Sequence, residues 1–168
     1  NQLISKGESY TYELAKTLSM SPPHINRLCN YLEKNGILHS KRSNNKKIFK
    51  INYQNTFSRE LLRLLSIIHI KKTKYFHQLG KIAPFGIYGS FAEGKQQKDS
   101  DIDLWIYTSR AKEKEIRSLL NQIEDEWGHP INILYLDKNK LNILKNKDPE
   151  FYIRLKIQSL TEWEEIFG

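Results

Sequence analysis

Apolar residues recur at helical spacing in several stretches of the chain and alternate with polar ones in others. The first helix is predicted over residues 13–18, where leucine and alanine share one face. Ser21 followed by Pro22 is typical of the start of a second helix, and Gly36 is typical of its end. The spacing i, i+3, i+4, i+7 gives that helix an apolar face formed by Ile25, Leu28, Cys29 and Leu32. Cys29 is therefore interpreted as a small core residue.

Two short β-prone arms follow, at residues 36–42 and 46–51, with a polar turn between them, which predicts a hairpin. The order helix, turn, helix, basic hairpin resembles a winged helix-turn-helix. In that family the second helix enters the major groove, and the hairpin contacts the DNA backbone or the minor groove. The resemblance implies that bases or phosphates are contacted by His24, Asn26, Arg27 and Asn30, and phosphates by Lys41, Arg42, Lys46 and Lys47. The alternative is a winged helix used for protein contacts or dimerisation.

A connecting segment, residues 57–82, begins with Ser58 as a predicted helix cap. A helical stripe is formed by Leu61, Leu64, Leu65 and Ile68, and it is widened by Leu62, Ile67 and Ile70. Because the apolar face is so wide, we expect it to be buried on both sides, against the two flanking units or against a second chain.

Composition and charge divide the chain further. Hydrophobic residues make up 39% of the 168 residues, enough for a buried core, so a disordered chain is not expected. A single cysteine rules out an internal disulfide, which favours a cytoplasmic location, and no apolar run reaches membrane-spanning length. No signal peptide is visible, although the chain begins with Asn1.

The net charge of +8 is unevenly distributed. Residues 1–56 hold nine basic and three acidic side chains, whereas residues 83–168 hold 12 basic and 15 acidic ones. This change predicts a basic first domain over 1–56, connecting helices over 57–82 and a chemically distinct domain over 83–168. The basic part is a candidate for binding double-stranded DNA.

The second domain carries a pattern typical of a metal site. A short apolar run ends at Gly89-Ser90, and after a polar loop the chain alternates from Asp101 to Tyr107. In a strand, Asp101 and Asp103 point the same way, while Ile102 and Leu104 face a core. Two adjacent carboxylates favour a divalent cation such as Mg²⁺, and the small turn suits phosphate oxygens.

The segment from Gly89 to Gly94, followed by Ser100-Asp101-Ile102-Asp103-Leu104, closely resembles the signature of the DNA polymerase β-like nucleotidyltransferases, most of all the minimal prokaryotic branch. The resemblance covers residues 60–160. It implies a mixed sheet flanked by helices, Mg²⁺ or Mn²⁺ on Asp101 and Asp103, and a nucleoside triphosphate, with ATP favoured, held by Gly89, Ser90 and Ser100. The implied reaction transfers a nucleoside monophosphate to an acceptor hydroxyl.

The family has a third carboxylate on a later strand. A helix is predicted over residues 110–127 and a strand over 130–137, and Asn132 stands at the equivalent position. We expect Asp137 to face the opposite side of the strand. The acidic run 124–126 is interpreted as a solvated helix face. A neutral Asn132 cannot act as a base, and the loss of a general base typically lowers the reaction rate by about 10²–10⁴-fold.

The sequence thus predicts an α+β protein, a winged helix-turn-helix followed by a nucleotidyltransferase-fold mixed sheet. Two functions remain open. The first is a metal-dependent nucleotidyltransferase, with Asp101, Asp103 and Asn132 as catalytic residues and with a protein, nucleic acid or small molecule as acceptor. The second is a weakly active or inactive transcriptional regulator or antitoxin-like partner of a toxin. A homodimer is an open alternative for the assembly.

Overall fold

The computed structural model describes residue 3 and residues 6–44, 46–108 and 112–168. The chain divides into two compact units. The first comprises Asn1–Leu62 with Gly94–Asp99, and the second comprises Arg63–Glu93 with Ser100–Gly168. Both contain helices and sheet, so the fold is mixed α+β. Within the described residues, no helix is long and apolar enough to cross a membrane.

The first unit follows the predicted order of elements. Strand β1 (Ser9–Tyr10) leads into helices α1 (Thr11–Thr17) and α2 (Pro22–Lys34), and strands β2 (Leu38–Ser43) and β3 (Lys46–Ile51) form an antiparallel hairpin. Strand β1 pairs with the other edge of β3. Helix α2 starts at Pro22 as expected, although the Ser21 side chain makes no capping hydrogen bond. Gly36 follows the helix in a left-handed conformation, with φ of +71°.

The core of the first unit lies between these helices and the hairpin. Ile25, Cys29 and Phe49 are at most 4% exposed, so the interpretation of Cys29 as a core residue is confirmed. Burial also raises the pKa of the Cys29 thiol, which keeps it protonated. Leu28 is 41% exposed, so its predicted burial is wrong. The buried stripe of α2 is narrower than the spacing suggested and is centred on Ile25 and Cys29.

Helix α3 (Thr56–Lys72) contributes residues to both units. Its cap is Asn55, whose Oδ1 accepts a hydrogen bond from the Ser58 backbone N–H at 3.2 Å. The prediction that Ser58 caps the helix is therefore wrong. Ser58 lies inside the first turn, where its side chain is buried and its hydroxyl donates to the Ile37 carbonyl.

Within this single chain α3 is not buried on both sides, and burial of its other side against a second chain stays a prediction. Leu62 is buried, and Ile67 and Ile70 pack against the core of the second unit. One face is nevertheless open, with exposed fractions between 36% and 63% at Phe57, Leu61, Leu64, Leu65 and Ile68. Periodicity identifies residues that share a face, but it does not reveal how many faces other elements cover.

The second unit contains a mixed sheet. Its strands are β4 (Phe85–Tyr88), β5 (Ile102–Tyr107), β6 (Ile131–Leu136) and β7 (Leu160–Thr161), in the order β6-β5-β4-β7. Strands β5 and β6 are parallel and the other pairs are antiparallel. The helices are α4 (Lys74–Ile82), the short α5 (Gly89–Ala92), α6 (Glu113–Trp127), α7 (Lys138–Lys147) and α8 (Pro149–Gln158), and a 3₁₀ turn spans Glu164–Phe167. Arg110, the predicted start of α6, lies outside the described residues.

The two faces of this sheet bury different clusters. Ile102, Leu104 and Ile106 point into the larger core with α4 and α6, as their alternation predicted. Trp105 points to the other face, where it is fully buried and its Nε1 donates to Ser159 Oγ at 3.0 Å. Gly86 lies opposite Trp105 in the register, and a Cβ there would be 2.6 Å from the indole. This packing fixes β4 against β5 just below the polar end of the sheet.

Candidate active site

Three neighbouring strands bring the predicted carboxylates and amide together. In the register, Tyr88 of β4 faces Asp103 of β5, and Asp103 faces Asn132 of β6. Residues directly opposite one another in a sheet project from the same face. Asp101 immediately precedes β5, so strand alternation puts its side chain on that face as well.

Asn132 joins the two carboxylates. Its Nδ2 donates to Asp101 Oδ2 at 3.0 Å and lies 3.5 Å from Asp103 Oδ1. Asp101 and Asn132 are exposed, whereas Asp103 is half-buried. Two like charges this close repel each other, and the amide N–H group offsets part of that repulsion. The cluster is thus a pair of acidic groups bridged by one neutral donor.

The Gly89-Ser90 turn lies directly against Asp103. Gly89 has φ of +65°, and a Cβ on it would be 2.1 Å from Asp103 Oδ2. Glycine therefore suits this position for two reasons, the left-handed backbone and the close carboxylate. Next to it, the Ser90 Oγ is buried and has no hydrogen-bond partner in the described part of the chain. A buried hydroxyl without a partner among protein atoms is unusual, and this one is available to donate a hydrogen bond.

Burial changes the acid–base behaviour of this end of the sheet. Burial, reinforced by the charge of Asp101 and opposed by the hydrogen bond from Asn132, raises the pKa of Asp103 above its usual value. Burial and the Asp103 carboxylate likewise raise the pKa of Tyr88, which therefore remains a neutral phenol. Tyr88 was not predicted from the sequence. Its proximity follows from the β4–β5 register, for which the sequence carries no direct signal.

Two further side chains contact the backbone next to the site residues. His129 Nδ1 lies 2.8 Å from the Ser100 carbonyl oxygen, which fixes the backbone just before Asp101. Glu124 Oε1 accepts a hydrogen bond from the Ile131 N–H at 2.7 Å, at the start of the strand that carries Asn132. The interpretation of Glu124 as purely solvated is therefore wrong. Its neighbours Asp125 and Glu126 are exposed, as expected.

The residues present suit a hard cation that prefers oxygen ligands. Asp101 and Asp103 offer carboxylate oxygens, and half a turn of the Asn132 amide would present its oxygen as well. Within the described residues, no group of three histidine, cysteine or acidic side chains is arranged to hold a metal. Asp137 does not supply the missing carboxylate, because its Oδ1 caps α7 by accepting from the Lys140 N–H at 2.8 Å.

The candidate DNA-contacting residues lie on the surface of the first unit. Most are exposed, namely His24, Asn26, Arg27, Asn30, Lys41, Arg42 and Lys46, and Lys47 is half-exposed. Lys47 Nζ contacts Glu33 at 2.5 Å and Asn30 Oδ1 at 2.8 Å, which connects the hairpin to helix α2. Lys41 lies 3.4 Å from Glu8. Lys47 and Asn30 are thus hydrogen-bonded to each other, whereas Arg27 is exposed to solvent.

The comparisons with known proteins concern the second unit. Residues 69–150 match the family model described as Polymerase beta, Nucleotidyltransferase, and this match contains the Gly89-Ser90 turn, both aspartates and Asn132. No curated protein matches the chain. The matched segment is just under half of the chain. Together with the mixed sheet and its polar end, it supports placing residues 69–150 in the nucleotidyltransferase superfamily.

Proposed function

We propose that the second unit binds a nucleoside triphosphate with Mg²⁺ or Mn²⁺ and transfers its nucleoside monophosphate to an acceptor hydroxyl. One observation carries this proposal. Asp101 and Asp103 converge on one side-chain amide, and Asp103 also touches the turn that holds the unpaired Ser90 hydroxyl. An acidic pair beside a buried unsatisfied donor is suited to a cation and a phosphate held together.

Each residue has a defined role in this proposal. Asp101 and Asp103 hold the cation, and the Ser90 hydroxyl donates to a phosphate oxygen. Gly89 leaves room for the Asp103 carboxylate beside the turn. Ser100 contributes to nucleotide binding by its position. Its carbonyl oxygen contacts His129, and this contact fixes the backbone just before Asp101.

In the proposed reaction the acceptor hydroxyl loses its proton to solvent and its oxygen bonds to the α-phosphorus. The bond from that phosphorus to the oxygen shared with the β-phosphate breaks, and pyrophosphate leaves. A bound divalent cation would lower the pKa of the acceptor hydroxyl and offset the charge on the leaving phosphates. Asn132 orients the two aspartates and accepts no proton. We therefore expect slow turnover compared with a site that has a carboxylate at this position.

For the first unit we propose binding to double-stranded DNA through a winged helix-turn-helix. The order of elements and the exposed basic residues of α2 and the hairpin support this assignment. Arg27 is the residue we expect to matter most, because Lys47 and Asn30 are engaged with each other and with Glu33.

A second candidate function follows from Asn132. Its neutral amide donates to Asp101 and lies near Asp103, so the cluster carries one negative charge fewer than a site with a third carboxylate and lacks a side-chain base at this position. This favours a protein that binds nucleotide with little or no transfer and acts as a transcriptional regulator or as an antitoxin-like partner. The two functions differ in whether label moves from nucleotide to acceptor.

The test is a transfer assay with α-labelled nucleoside triphosphates and Mg²⁺ or Mn²⁺, on the wild type and on Asn132→Asp. Candidate acceptors are the protein itself, nucleic acid and any protein that co-purifies with it. The enzyme proposal predicts measurable transfer that increases by about 10²–10⁴-fold in Asn132→Asp. A matched control is Asn142→Asp, at an exposed position of α7, which should leave the rate unchanged.

Absence of transfer in both proteins, with nucleotide still bound, would favour the regulatory function. Absence of both transfer and nucleotide binding would reject the proposal altogether.

A further inference from the structure

A cavity of about 780 Å³ lies at the opposite edge of the second unit's sheet. It is formed by α3, α4, the edge strand β7 and the segment that follows β7. Phe85 lines it at the start of β4, whereas Tyr88, three residues or about 10 Å further along the strand, faces Asp103. None of the candidate active-site residues lines this cavity. Its volume is in the range usual for small-molecule sites.

One wall of the cavity is aromatic. The rings of Phe85 and Trp163 lie 5.2 Å apart, and Phe76 stacks on Phe85 at 5.4 Å. Trp163 also packs closely on α4, since a Cβ at Gly80 would lie 3.0 Å from its Cη2. Trp163 is the accessible part of this wall, because Phe76 and Phe85 are buried, and its half-exposed indole offers an apolar surface for a ring or a branched hydrocarbon.

The opposing charges of the cavity are not balanced. Lys71 forms an ion pair with Glu162 at 2.9 Å, which accounts for one cation and one anion of the lining. Arg63 and Lys81 remain, against Glu164 alone. The Nε of Arg63 is buried and has no hydrogen-bond partner within the described residues. A buried guanidinium N–H without a partner can form a strong, charge-assisted hydrogen bond to an oxyanion.

We propose that this cavity binds a small organic anion, one that carries an apolar ring and a single oxyanion group. The ring lies against Trp163 and Phe85, and the oxyanion accepts hydrogen bonds from the Arg63 guanidinium. Lys81 adds to the positive potential at the rim. This site is separate from the proposed nucleotide site and does not depend on it.

Three naphthalene compounds that share one ring system test the proposal. They are 1-naphthyl phosphate, 1-naphthoate and the neutral 1-naphthol, titrated by calorimetry into the full chain in the presence of EDTA. We expect both anions to bind about tenfold or more tightly than naphthol, because only they pair with the guanidinium. The stronger of the two identifies the oxyanion, phosphate or carboxylate, that the cavity prefers.

Variants then locate the binding. Arg63→Gln should remove the preference for the anions while naphthol binds as before, and Arg63→Lys should retain part of it. Lys147→Gln, at an exposed cation on α7, is the matched control and should change nothing. The double variant Asp101→Asn/Asp103→Asn should bind all three compounds like the wild type.

Four results would overturn the proposal. The first is equal binding of the anions and naphthol, and the second is no binding of any of them. The third is an anion preference that survives in Arg63→Gln, and the fourth is an anion preference that disappears in the aspartate double variant. Thermal unfolding of each variant identifies any that fails to fold, and Arg63→Lys provides the test if Arg63→Gln does not fold.

Discussion

At the residue scale, the contact between Gly89 and Asp103 couples the turn to the acidic pair. A Cβ on Gly89 would lie 2.1 Å from Asp103 Oδ2, so any other residue forces this carboxylate to rotate away. Rotation would separate Asp103 from Asn132 and from the turn. The geometry of the site therefore depends on the absence of a side chain at one position.

Gly89→Ala and Gly128→Ala form a matched pair that tests this dependence. Both glycines have a left-handed backbone, with φ of +65° and +68°, but nothing lies within 4 Å of a Cβ at Gly128. Each substitution should cost about 1–2 kcal/mol of folding free energy through backbone strain. Only Gly89→Ala should also weaken Mn²⁺ binding, which calorimetry or electron paramagnetic resonance measures. Equal Mn²⁺ affinity in the two variants would show that the Asp103 contact is unimportant.

Single residues were predictable where chemistry is local. The spacing of Asp101 and Asp103 and the small Gly89-Ser90 turn predicted a candidate site from the sequence, and the structure brings Asp103, the turn and Asn132 together. The roles of Tyr88, His129 and Glu124 were not predictable. Each depends on a strand pairing or on a hydrogen bond between residues distant in the chain, which residue spacing does not encode.

At the element scale, helix starts show how local rules compete. The predicted cap of α3 was Ser58, although Asn is as favourable a capping residue as Ser. The structure selects Asn55, which leaves Ser58 buried within the first turn of α3. The hairpin was more predictable, because two β-prone arms flank a polar turn. The mixed sheet was expected only from the family resemblance, and burial does not alternate along β4 or β6. In β5, alternation correctly separated Ile102 and Leu104 from Asp103.

The Asn55→Ala variant tests the cap. Loss of the Oδ1 acceptor should destabilise the chain by about 1 kcal/mol, since the Ser58 N–H loses its partner. Asn55→Asp keeps the acceptor and should fold with wild-type stability. Urea denaturation of both variants measures the effect. An unchanged free energy of unfolding in Asn55→Ala would mean that another group caps α3.

At the scale of the whole molecule, the charge asymmetry predicted two different parts, and the two compact units carry different kinds of surface. The first unit presents exposed basic residues, and the second has the acidic pair at one end of its sheet. The open apolar face of α3 was not predictable, because burial depends on what covers a helix and not on its own pattern.

The proposed binding of double-stranded DNA would depend on basic side chains spread over the first unit. Titration of labelled duplexes at several salt concentrations gives the slope of the logarithm of the binding constant against the logarithm of the salt concentration. Arg27→Ala should reduce the magnitude of this slope by about one if Arg27 contacts a phosphate. If Arg27 contacts a base instead, the variant should lose about 1–3 kcal/mol of binding free energy on the preferred DNA sequence and none on other sequences. Lys114→Ala, at an exposed cation of the second unit, is the control. Binding that ignores Arg27 at every salt concentration would contradict the proposed interface.

In the proposed site, Asp101, Asp103 and Ser90 hold a cation and a nucleoside triphosphate together. Calorimetric titration of ATP into the protein, with and without Mg²⁺, measures this binding. We expect binding that requires the cation and that weakens at least about tenfold in both Asp101→Asn and Ser90→Ala, whereas the exposed-site control Asp125→Asn binds like the wild type. Cation-independent binding, or equal affinity in all four proteins, would contradict the claim.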